Sequence, residues 1–384
     1  MALQRAHHGA PEALRDAAAR LLRLPRLRHR MLHHVRVPAP RVHTRRPHDC
    51  LVSPVMTKAP IRQAVVLAAG LGTRLLPLTE VRAKPAMPVA GEPMIRRIIR
   101  WLASQGADDL VLNLHHRPET ITAVVGDGRD LGARVRYSWE YPRILGSAGG
   151  PRLARPIIGD GDAGTFLIIN GDTLTDLDLA QLADAHAAFG ALVTLALVPN
   201  RAFTRYGGVR LDDEGRVVGF ARRGPSSAGT YHFIGVQIAD ARAFDAVAPG
   251  EAASSIGGVY DALVRSRPGA VRGFVCGAEF WDVGTPTDYW QTSQAFMTRA
   301  GTSSSGMTQS ARIDASARVT GSILWDDVQV GADAVIDECI ITDRVRVPAG
   351  TACRRAILIR GKGDDLVETP LDVGPVEGVT GADG

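Results

Sequence analysis

The sequence predicts an α/β protein with a Rossmann-like, mostly parallel sheet and helices on both faces, followed by a short C-terminal left-handed parallel β-helix. Two observations lead to this prediction. Between residues 62 and 300, short apolar runs alternate with segments of helical period, which indicates alternating strands and helices. Between residues 310 and 360, apolar residues recur every six positions, which is typical of hexapeptide coils of about 18 residues. A few ordinary strands with accidental spacing are the alternative for this second region.

The strands are predicted from uncharged or alternating apolar runs. We expect them over residues 64–69, 110–114, 134–139, 165–169, 192–198 and 271–275. A helix is expected after Pro93 and ends near Gly106, and a second covers residues 179–189. Ligands of such sheets bind beyond the carboxyl ends of the strands, so the loops after Ala69 and Asn170 are candidate binding loops.

The two ends of the chain differ in composition from the middle. Residues 1–55 contain 11 Arg and three acids, a net charge of +8, whereas the remaining residues carry −3. The pI of about 9.3 therefore reflects the first 55 residues and does not indicate nucleic-acid binding. We expect residues 1–55 to be a disordered basic leader, or a stretch outside the working protein with Met56 as an alternative start. Residues 302–309 read as a linker and residues 361–384 as a disordered tail.

Composition also excludes several classes of protein. No apolar run approaches the roughly 20 residues that a membrane helix needs. The four cysteines form no close pair, so neither a disulfide framework nor a structural zinc site is expected. The prediction is a cytoplasmic protein that binds neither membrane nor nucleic acid.

The strongest motif is Leu67-Ala-Ala-Gly-Leu-Gly-Thr-Arg74. Gly70 and Gly72 allow a tight turn and close approach of a ligand, and successive backbone N–H groups can hold phosphate oxygens. Leu75 occupies the place of the third glycine of the dinucleotide motif, and no Gly-Lys-Ser/Thr follows, so neither that motif nor a Walker P-loop is present. A tight turn without a ligand is the alternative.

Two cations accompany this loop, Arg74 and Lys84. Phosphate transfer needs positive charge near oxygens that gain charge in the transition state. The chain has only three lysines against 42 arginines, so a lysine inside a motif indicates that a compact ammonium is needed there. A solvated surface lysine is the alternative for Lys84.

Two aspartates are candidate metal ligands. Asp172 follows a predicted buried strand in Asn170-Gly-Asp172, and Asp282 lies in Phe280-Trp-Asp-Val-Gly284. Mg²⁺ typically takes one or two carboxylates and completes its shell with water and phosphate. An Asx-turn or helix cap is the alternative for Asp172, and a turn aspartate for Asp282. The run Gly146-Ser-Ala-Gly-Gly150 is interpreted as a second flexible loop.

Together these motifs resemble the sugar-1-phosphate nucleotidylyltransferases, also called NDP-sugar pyrophosphorylases. The resemblance covers residues 62–300 and, with the hexapeptide region, extends to about residue 360. The short β-helix is most similar to the mannose-1-phosphate guanylyltransferase branch. The resemblance implies a Mg²⁺-dependent enzyme whose partners are a nucleoside triphosphate and a sugar 1-phosphate. Homo-oligomerisation is left open.

The resemblance also implies a role for each motif residue. Arg74 and Lys84 would be the catalytic cations, and Asp172 and Asp282 would hold Mg²⁺. The nucleotide would contact Leu67, Ala69, Gly70, Gly72, Thr73, Leu145, Gly146 and Gly171. The sugar phosphate would contact Gly207 and Arg223.

The sequence departs from that family on the sugar side. The family's Glu-Lys-Pro stretch corresponds to Ala221-Arg-Arg-Gly-Pro225, and Phe233 stands where many members have a sugar-binding Asn. GTP with mannose 1-phosphate is the first expectation, and UTP or TTP with a glucose-type phosphate is the second. The rival hypothesis is a non-catalytic regulatory relative. The retention of Arg74, Lys84, Asp172 and Asp282 argues against it. An acyltransferase β-helix is disfavoured because the last His is His232.

Overall fold

The computed structural model describes residues 61–161, 164–301 and 305–373. The predictions made for residues 1–55 and for residues 374–384 lie outside the described residues. Within the described part, no helix has both the length and the apolar character needed to cross a membrane.

The first region consists of strands and helices in alternation, as predicted. Its strands are β1 (Gln63–Leu67), β2 (Pro88–Val89), β3 (Glu92–Pro93), β4 (Asp109–Leu114), β5 (Arg134–Trp139), β6 (Thr165–Asn170), β7 (Thr173–Thr175), β8 (Val193–Pro199), β9 (Gly208–Leu211), β10 (Val217–Ala221), β11 (Tyr231–Asp240), β12 (Val271–Val275) and β13 (Phe280–Asp282). Its α-helices are α1 (Met94–Ser104), α2 (Pro118–Val125), α3 (Gly146–Ala154), α4 (Leu179–Phe189), α5 (Tyr260–Ser266) and α6 (Pro286–Arg299).

The main sheet has β1 near its centre. β1 runs parallel to β4 on one side and to β6 on the other, and β5 extends this parallel part beyond β4. β8 and β12 form a second parallel pair. β11 joins the two parts and runs antiparallel to both β6 and β8, so the sheet is mixed around a parallel centre.

Helices cover both faces of this sheet because successive residues of β1 point to opposite sides. Val66 packs with Ile98 of α1 and Leu182 of α4 in one buried cluster. Val65 packs with Ala148 of α3 and Tyr260 of α5 in the other. The predicted Rossmann-like layering is therefore confirmed.

The second region is the predicted parallel β-helix. Its strands are β14 (Gly306–Met307), β15 (Arg312–Ile313), β16 (Arg318–Thr320), β17 (Ile323–Leu324), β18 (Gln329–Val330), β19 (Val335–Asp337), β20 (Ile340–Ile341), β21 (Arg346–Val347), β22 (Ala352–Arg354), β23 (Ala356–Arg360) and β24 (Leu366–Pro370). Ile323 pairs with Ile340 and Ile340 with Ile357, so each coil has 17 residues rather than the expected 18.

Two predicted boundaries are wrong. The linker assigned to residues 302–309 already contains β14, which pairs with β17 in the first coil, while residues 302–304 lie outside the described part. The tail assigned to residues 361–384 contains β24, which runs antiparallel to β23. The prediction of a disordered tail rested on composition. It failed because hydrogen bonding to an exposed edge strand can order a segment that has little apolar surface.

Helix α6 fixes the β-helix to the first region. The indole N–H of Trp290 donates to the carbonyl of Gly321 at 2.7 Å, and that of Trp325 donates to the Tyr289 hydroxyl at 2.9 Å. Both Trp325 and Tyr289 are fully buried. The β-helix is thus a docked cap, as the sequence predicts.

Candidate active site

A cavity of about 360 Å³ opens at the carboxyl ends of β1, β4, β5 and β6. Most of the predicted site residues line it: Leu67, Ala69, Gly70, Gly72, Thr73, Arg74, Lys84, Gly146, Gly171 and Asp172. The other lining residues are Ala68, Leu75, Pro85, Asn113, Glu140, Ile144, Ser147, Asn170 and Gly284. The position is the one expected for a ligand site of a parallel sheet.

The glycine loop after β1 has two different kinds of glycine. Gly72 has φ +63°, and a Cβ there would lie 2.7 Å from Cγ2 of Thr79, so both backbone and space require glycine. Gly70 has open space on the side where a Cβ would be. In the described part of the chain, the N–H groups of Gly70, Gly72 and Thr73 donate to no protein acceptor. These donors are available to a phosphate.

The predicted loop over residues 146–150 is wrong, because these residues form the first turns of α3. Its glycines serve close packing rather than flexibility. A Cβ on Gly149 would lie 2.3 Å from the carbonyl oxygen of Glu251, and one on Gly150 would lie 2.6 Å from the side chains of Asn113 and Glu140. Gly146 and Ser147, at the start of the helix, still line the cavity. Leu145 is buried just before it and is not part of the lining.

Sequence reasoning missed a buried polar network in the cavity wall. Asn113 accepts a hydrogen bond from the N–H of Ala68 at 2.7 Å and donates to Glu140 at 2.6 Å. The other oxygen of Glu140 accepts from the N–H of Leu145 at 2.7 Å. Asn113 and Glu140 are 3% and 2% exposed. One signal was available, since Asn113 interrupts an otherwise apolar strand near its carboxyl end.

Lys84 and Asp172 meet across the cavity as an ion pair between side chains that are 12% and 24% exposed. Lys84 begins a short 3-10 helix, Lys84–Ala86. Asp172 follows Gly171, whose N–H donates to the carbonyl of Leu67 at 2.9 Å and so fixes the loop after β6 against the end of β1. The predicted cation and the predicted carboxylate therefore face each other.

Asp282 reaches the same place from a distant part of the chain. β13 pairs with β7, and this register sets Asp282 opposite Thr173, the residue after Asp172. Burial, and then the like charge of Asp172, raise the pKa of the Asp282 carboxyl, while Lys84 opposes the shift. The two predicted metal ligands thus lie close enough to interact electrostatically, which fits a site for a divalent cation.

Two arginines border the Asp282 segment. A Cβ on Gly284 would lie 3.3 Å from Nη1 of Arg74, so the Arg74 guanidinium rests against this glycine. Arg205, which sequence reasoning missed, donates to the carbonyl of Asp282 at 3.2 Å and pairs with Asp288 at 2.9 Å. The cations Arg74, Lys84 and Arg205 and the aspartates Asp172, Asp282 and Asp288 are therefore linked by close contacts, although they come from distant parts of the chain.

The predicted sugar-side residues lie together but outside the cavity lining. A Cβ on Gly207 would lie 2.9 Å from the carbonyl oxygen of Ala221 and 3.9 Å from the N–H nitrogen of Arg223. Both residues belong to the region around β9 and β10 rather than to the parallel part of the sheet. Their role stays a prediction.

Comparisons with known proteins identify related sequences and structures. The nucleotidyl transferase family model matches residues 63–299, and the GlmU-like C-terminal hexapeptide model matches residues 290–354. A mannose-1-phosphate guanylyltransferase of Mycobacterium tuberculosis is 31% identical over 76% of this chain and 83% of its own length. A UTP–glucose-1-phosphate uridylyltransferase of Synechocystis is 30% identical over 62% of this chain and 64% of its own length. Among solved structures, HddC of Yersinia pseudotuberculosis complexed with GMP-PN has 26% identity and a TM-score of 0.52, covering 61% of this chain and 98% of that one.

A glycine loop with two cations and two aspartates near it, at the end of a parallel sheet, suits an enzyme that transfers phosphate groups. The family model covers more than half of the chain, so the chain belongs to the nucleotidyl transferase family. Within that family it is one of the sugar-1-phosphate nucleotidyltransferases. The resemblance stated from the sequence is therefore confirmed.

Proposed function

We propose that this enzyme joins GTP and mannose 1-phosphate to give GDP-mannose and pyrophosphate, with Mg²⁺. The observation that carries the proposal is the single cavity in which the glycine loop, Arg74, Lys84 and Asp172 meet, with Asp282 beside it. Guanine and mannose are supported by the mannose-1-phosphate guanylyltransferase relative, and the choice of GTP is also supported by the solved neighbour complexed with GMP-PN.

The reaction needs no protein nucleophile. A phosphate oxygen of the sugar 1-phosphate attacks the α-phosphorus of the triphosphate in line, the new P–O bond forms, and pyrophosphate leaves. Free N–H groups at Gly70, Gly72 and Thr73 hold the triphosphate in place. Arg74 and Lys84 neutralise charge that develops on the transferred phosphate and the leaving group.

Asp172 and Asp282 fit a divalent cation. These two carboxylates would be the protein's ligands to the ion, and among the described residues there is no group of three or more His, Cys, Asp or Glu that could hold a metal. Mg²⁺ accepts such an incomplete set because water and substrate phosphates fill the rest of its shell. When bound, the ion supplies Lewis-acid polarisation of the phosphoryl oxygens. Lys84 pairs with Asp172 in this structure, so its ammonium lies beside the carboxylate that would hold the ion and close to where the phosphates would bind.

The test is a panel of the four nucleoside triphosphates against mannose, glucose and related sugar 1-phosphates, with released pyrophosphate as the readout and Mg²⁺ present or absent. We expect GTP with mannose 1-phosphate to give the highest kcat/KM and the reaction to require Mg²⁺. Asp172→Asn should lower kcat by about 10²–10³ or more. Asp184→Asn, an exposed position on α4, is the matched control. An Asp172→Asn variant with the wild-type rate would contradict the metal assignment.

A second candidate is UTP with glucose 1-phosphate, which the uridylyltransferase relative favours. In this chain, residues 221–225 lack the Glu and the Lys that the family has on the sugar side. The same panel separates the candidates, since only the preferred base and sugar change while the requirement for Asp172 and Lys84 stays.

A further inference from the structure

The segment that carries Lys84 is held by the β-helix. Two residues before Lys84, Arg82 donates from Nε to Asp343 at 2.7 Å and from Nη2 to the other oxygen of Asp343 at 2.6 Å. The same guanidinium pairs with Asp326. The Arg82 side chain is only 8% exposed, although both of its carboxylate partners belong to the other region of the molecule.

The two carboxylates are fixed by the stacking of the coils. Asp326 follows β17 and Asp343 follows β20, 17 residues later, so they occupy the same turn in successive coils. Asp343 also accepts from the N–H of Asp326 at 3.2 Å, which ties one coil to the next. The guanidinium of Arg82 lies over the buried Trp325 ring at 5.3 Å. The site for Arg82 is therefore built by the β-helix.

Arg82 also closes the turn around Lys84. Its Nη1 donates to the carbonyl of Ala86 at 3.4 Å, so the guanidinium spans Lys84 and Pro85. At the far end of the segment, the carbonyl of Pro88 accepts from the Tyr289 hydroxyl, which itself accepts from Trp325. Lys84 lies between two contacts that both lead to the β-helix.

We propose that Arg82 is a positioning residue through which the β-helix holds Lys84 in its catalytic place. The proposal rests on the proposed function for the role of Lys84. A lysine side chain is long and flexible, so the position of its ammonium depends on a fixed backbone turn, and a displacement of about 1 Å can cost about 10²-fold in rate. The β-helix thereby contributes to catalysis without touching the substrate.

The kinetic test compares Arg82→Met, Arg82→Lys and Asp343→Asn. We expect Arg82→Met to lower kcat about 10–100-fold, with KM for the triphosphate within about threefold of wild type. Lysine keeps one ion pair but loses the bidentate contact, so the kcat of Arg82→Lys should lie between those of the wild type and Arg82→Met. The effects of Arg82→Met and Asp343→Asn should be clearly non-additive in the double variant, because the two residues share one interaction.

Arg136→Met is the matched control. Arg136 on β5 forms a largely buried pair with Asp109 at 2.7 Å, at the end of the sheet opposite the cavity. The Arg136→Met variant should lose about as much thermal stability as Arg82→Met and keep kcat within about twofold of wild type. If Arg82→Met lowers kcat no more than Arg136→Met, the positioning role is overturned.

Hydrogen–deuterium exchange separates this proposal from the proposed function. Peptides that cover residues 82–89 should exchange about tenfold faster in Arg82→Met and measurably faster in Asp343→Asn, while β4 and β6 keep their protection. Unchanged exchange in residues 82–89 would overturn the positioning role of Arg82 even if kcat falls. If the wild type transfers no nucleotide in the substrate panel, the proposed function fails, and the exchange result alone decides whether Arg82 holds the turn. Should Arg82→Met not fold, Arg82→Lys and Asp343→Asn provide the same comparison.

Discussion

The two sides of the cleft are built differently. The predicted nucleotide side consists of the glycine loop after β1, the Lys84 segment and the loop after β6, which line one cavity at the carboxyl ends of parallel strands. The predicted sugar-side residues Gly207 and Arg223 lie in a region made of residues 200–208, the β9–β10 pair and the first residues of β11, which we call the sugar side and which belongs to the antiparallel extension of the sheet. Motif residues on the first side converge on one cavity, whereas those on the second do not line it.

The contrast shows which sequence signals are reliable guides to a binding site. Parallel strands bring their carboxyl ends to a common edge, so residues just after them meet whatever the intervening chain does. In an antiparallel extension, successive strand ends point in opposite directions, and loop conformation decides which residues reach the ligand. Gly207 and Arg223 lie next to the paired ends of β9 and β10, and this pairing brings them close to each other without placing them at the cavity.

The largest effect is expected on the nucleotide side, at Lys84. Lys84→Met removes the cation opposite Asp172 and should lower kcat about 10²–10³-fold in a pyrophosphate-release assay. Lys84→Arg should recover only part of this rate, because a guanidinium is larger and planar. A wild-type kcat for Lys84→Arg would show that any cation suffices and that the rarity of lysine in this chain has no bearing on the site.

The buried asparagines offer a direct comparison of the two sides. Asn113 bonds to Ala68 and Glu140, whereas Asn200 makes one longer contact to the Gly207 carbonyl, at 3.3 Å, and its Oδ1 has no partner. Asn113→Ala should lower the free energy of unfolding by about 2–3 kcal/mol and Asn200→Ala by about 1 kcal/mol or less. Urea unfolding of both variants measures this. Equal losses would mean that the two sides are equally well ordered.

A smaller effect is expected at the predicted sugar side. Arg223→Ala should raise KM for the sugar 1-phosphate about tenfold and leave KM for the triphosphate unchanged, because one charge-assisted contact is lost. Arg222→Ala, its exposed neighbour, is the control. If only Arg205→Ala raises that KM, the sugar phosphate is held from the Asp282 side and the role predicted for Arg223 is wrong.

Another prediction concerns how stability depends on pH in the region of the predicted sugar side. His232 stacks on Tyr206 with ring centroids 4.0 Å apart, and burial lowers its pKa from 6.5 to about 4. Since the unfolded chain binds the proton more readily, the contribution of His232 to stability is full above about pH 6.5 and falls as the pH drops toward 4. Thermal melts between pH 7 and pH 4 should show a steeper loss for wild type than for His232→Phe. Parallel curves would contradict the assignment.

Local sequence patterns were enough to predict the strands and helices and to select candidate residues for the nucleotide side. Apolar runs predicted β1, β4, β6 and β8 within one or two residues, since buried strands require continuous apolar sequence. Gly72 could be assigned a turn because its backbone conformation excludes other residues. Composition was a weaker guide, and it misplaced the linker and the tail, where hydrogen bonding to neighbouring strands imposes order.

Contacts between distant segments could be established only once the chain was seen folded. Asp282 reaches Asp172 through the pairing of β13 with β7, across about 110 residues, and a sequence motif cannot carry that register. Glycines 149 and 150, which resemble a flexible loop in the sequence, are small because a helix packs against Glu251 and Asn113 there. Arg82 acquires its partners only when two coils of the β-helix stack beside it, because the energy of a buried charge depends on what the fold brings next to it.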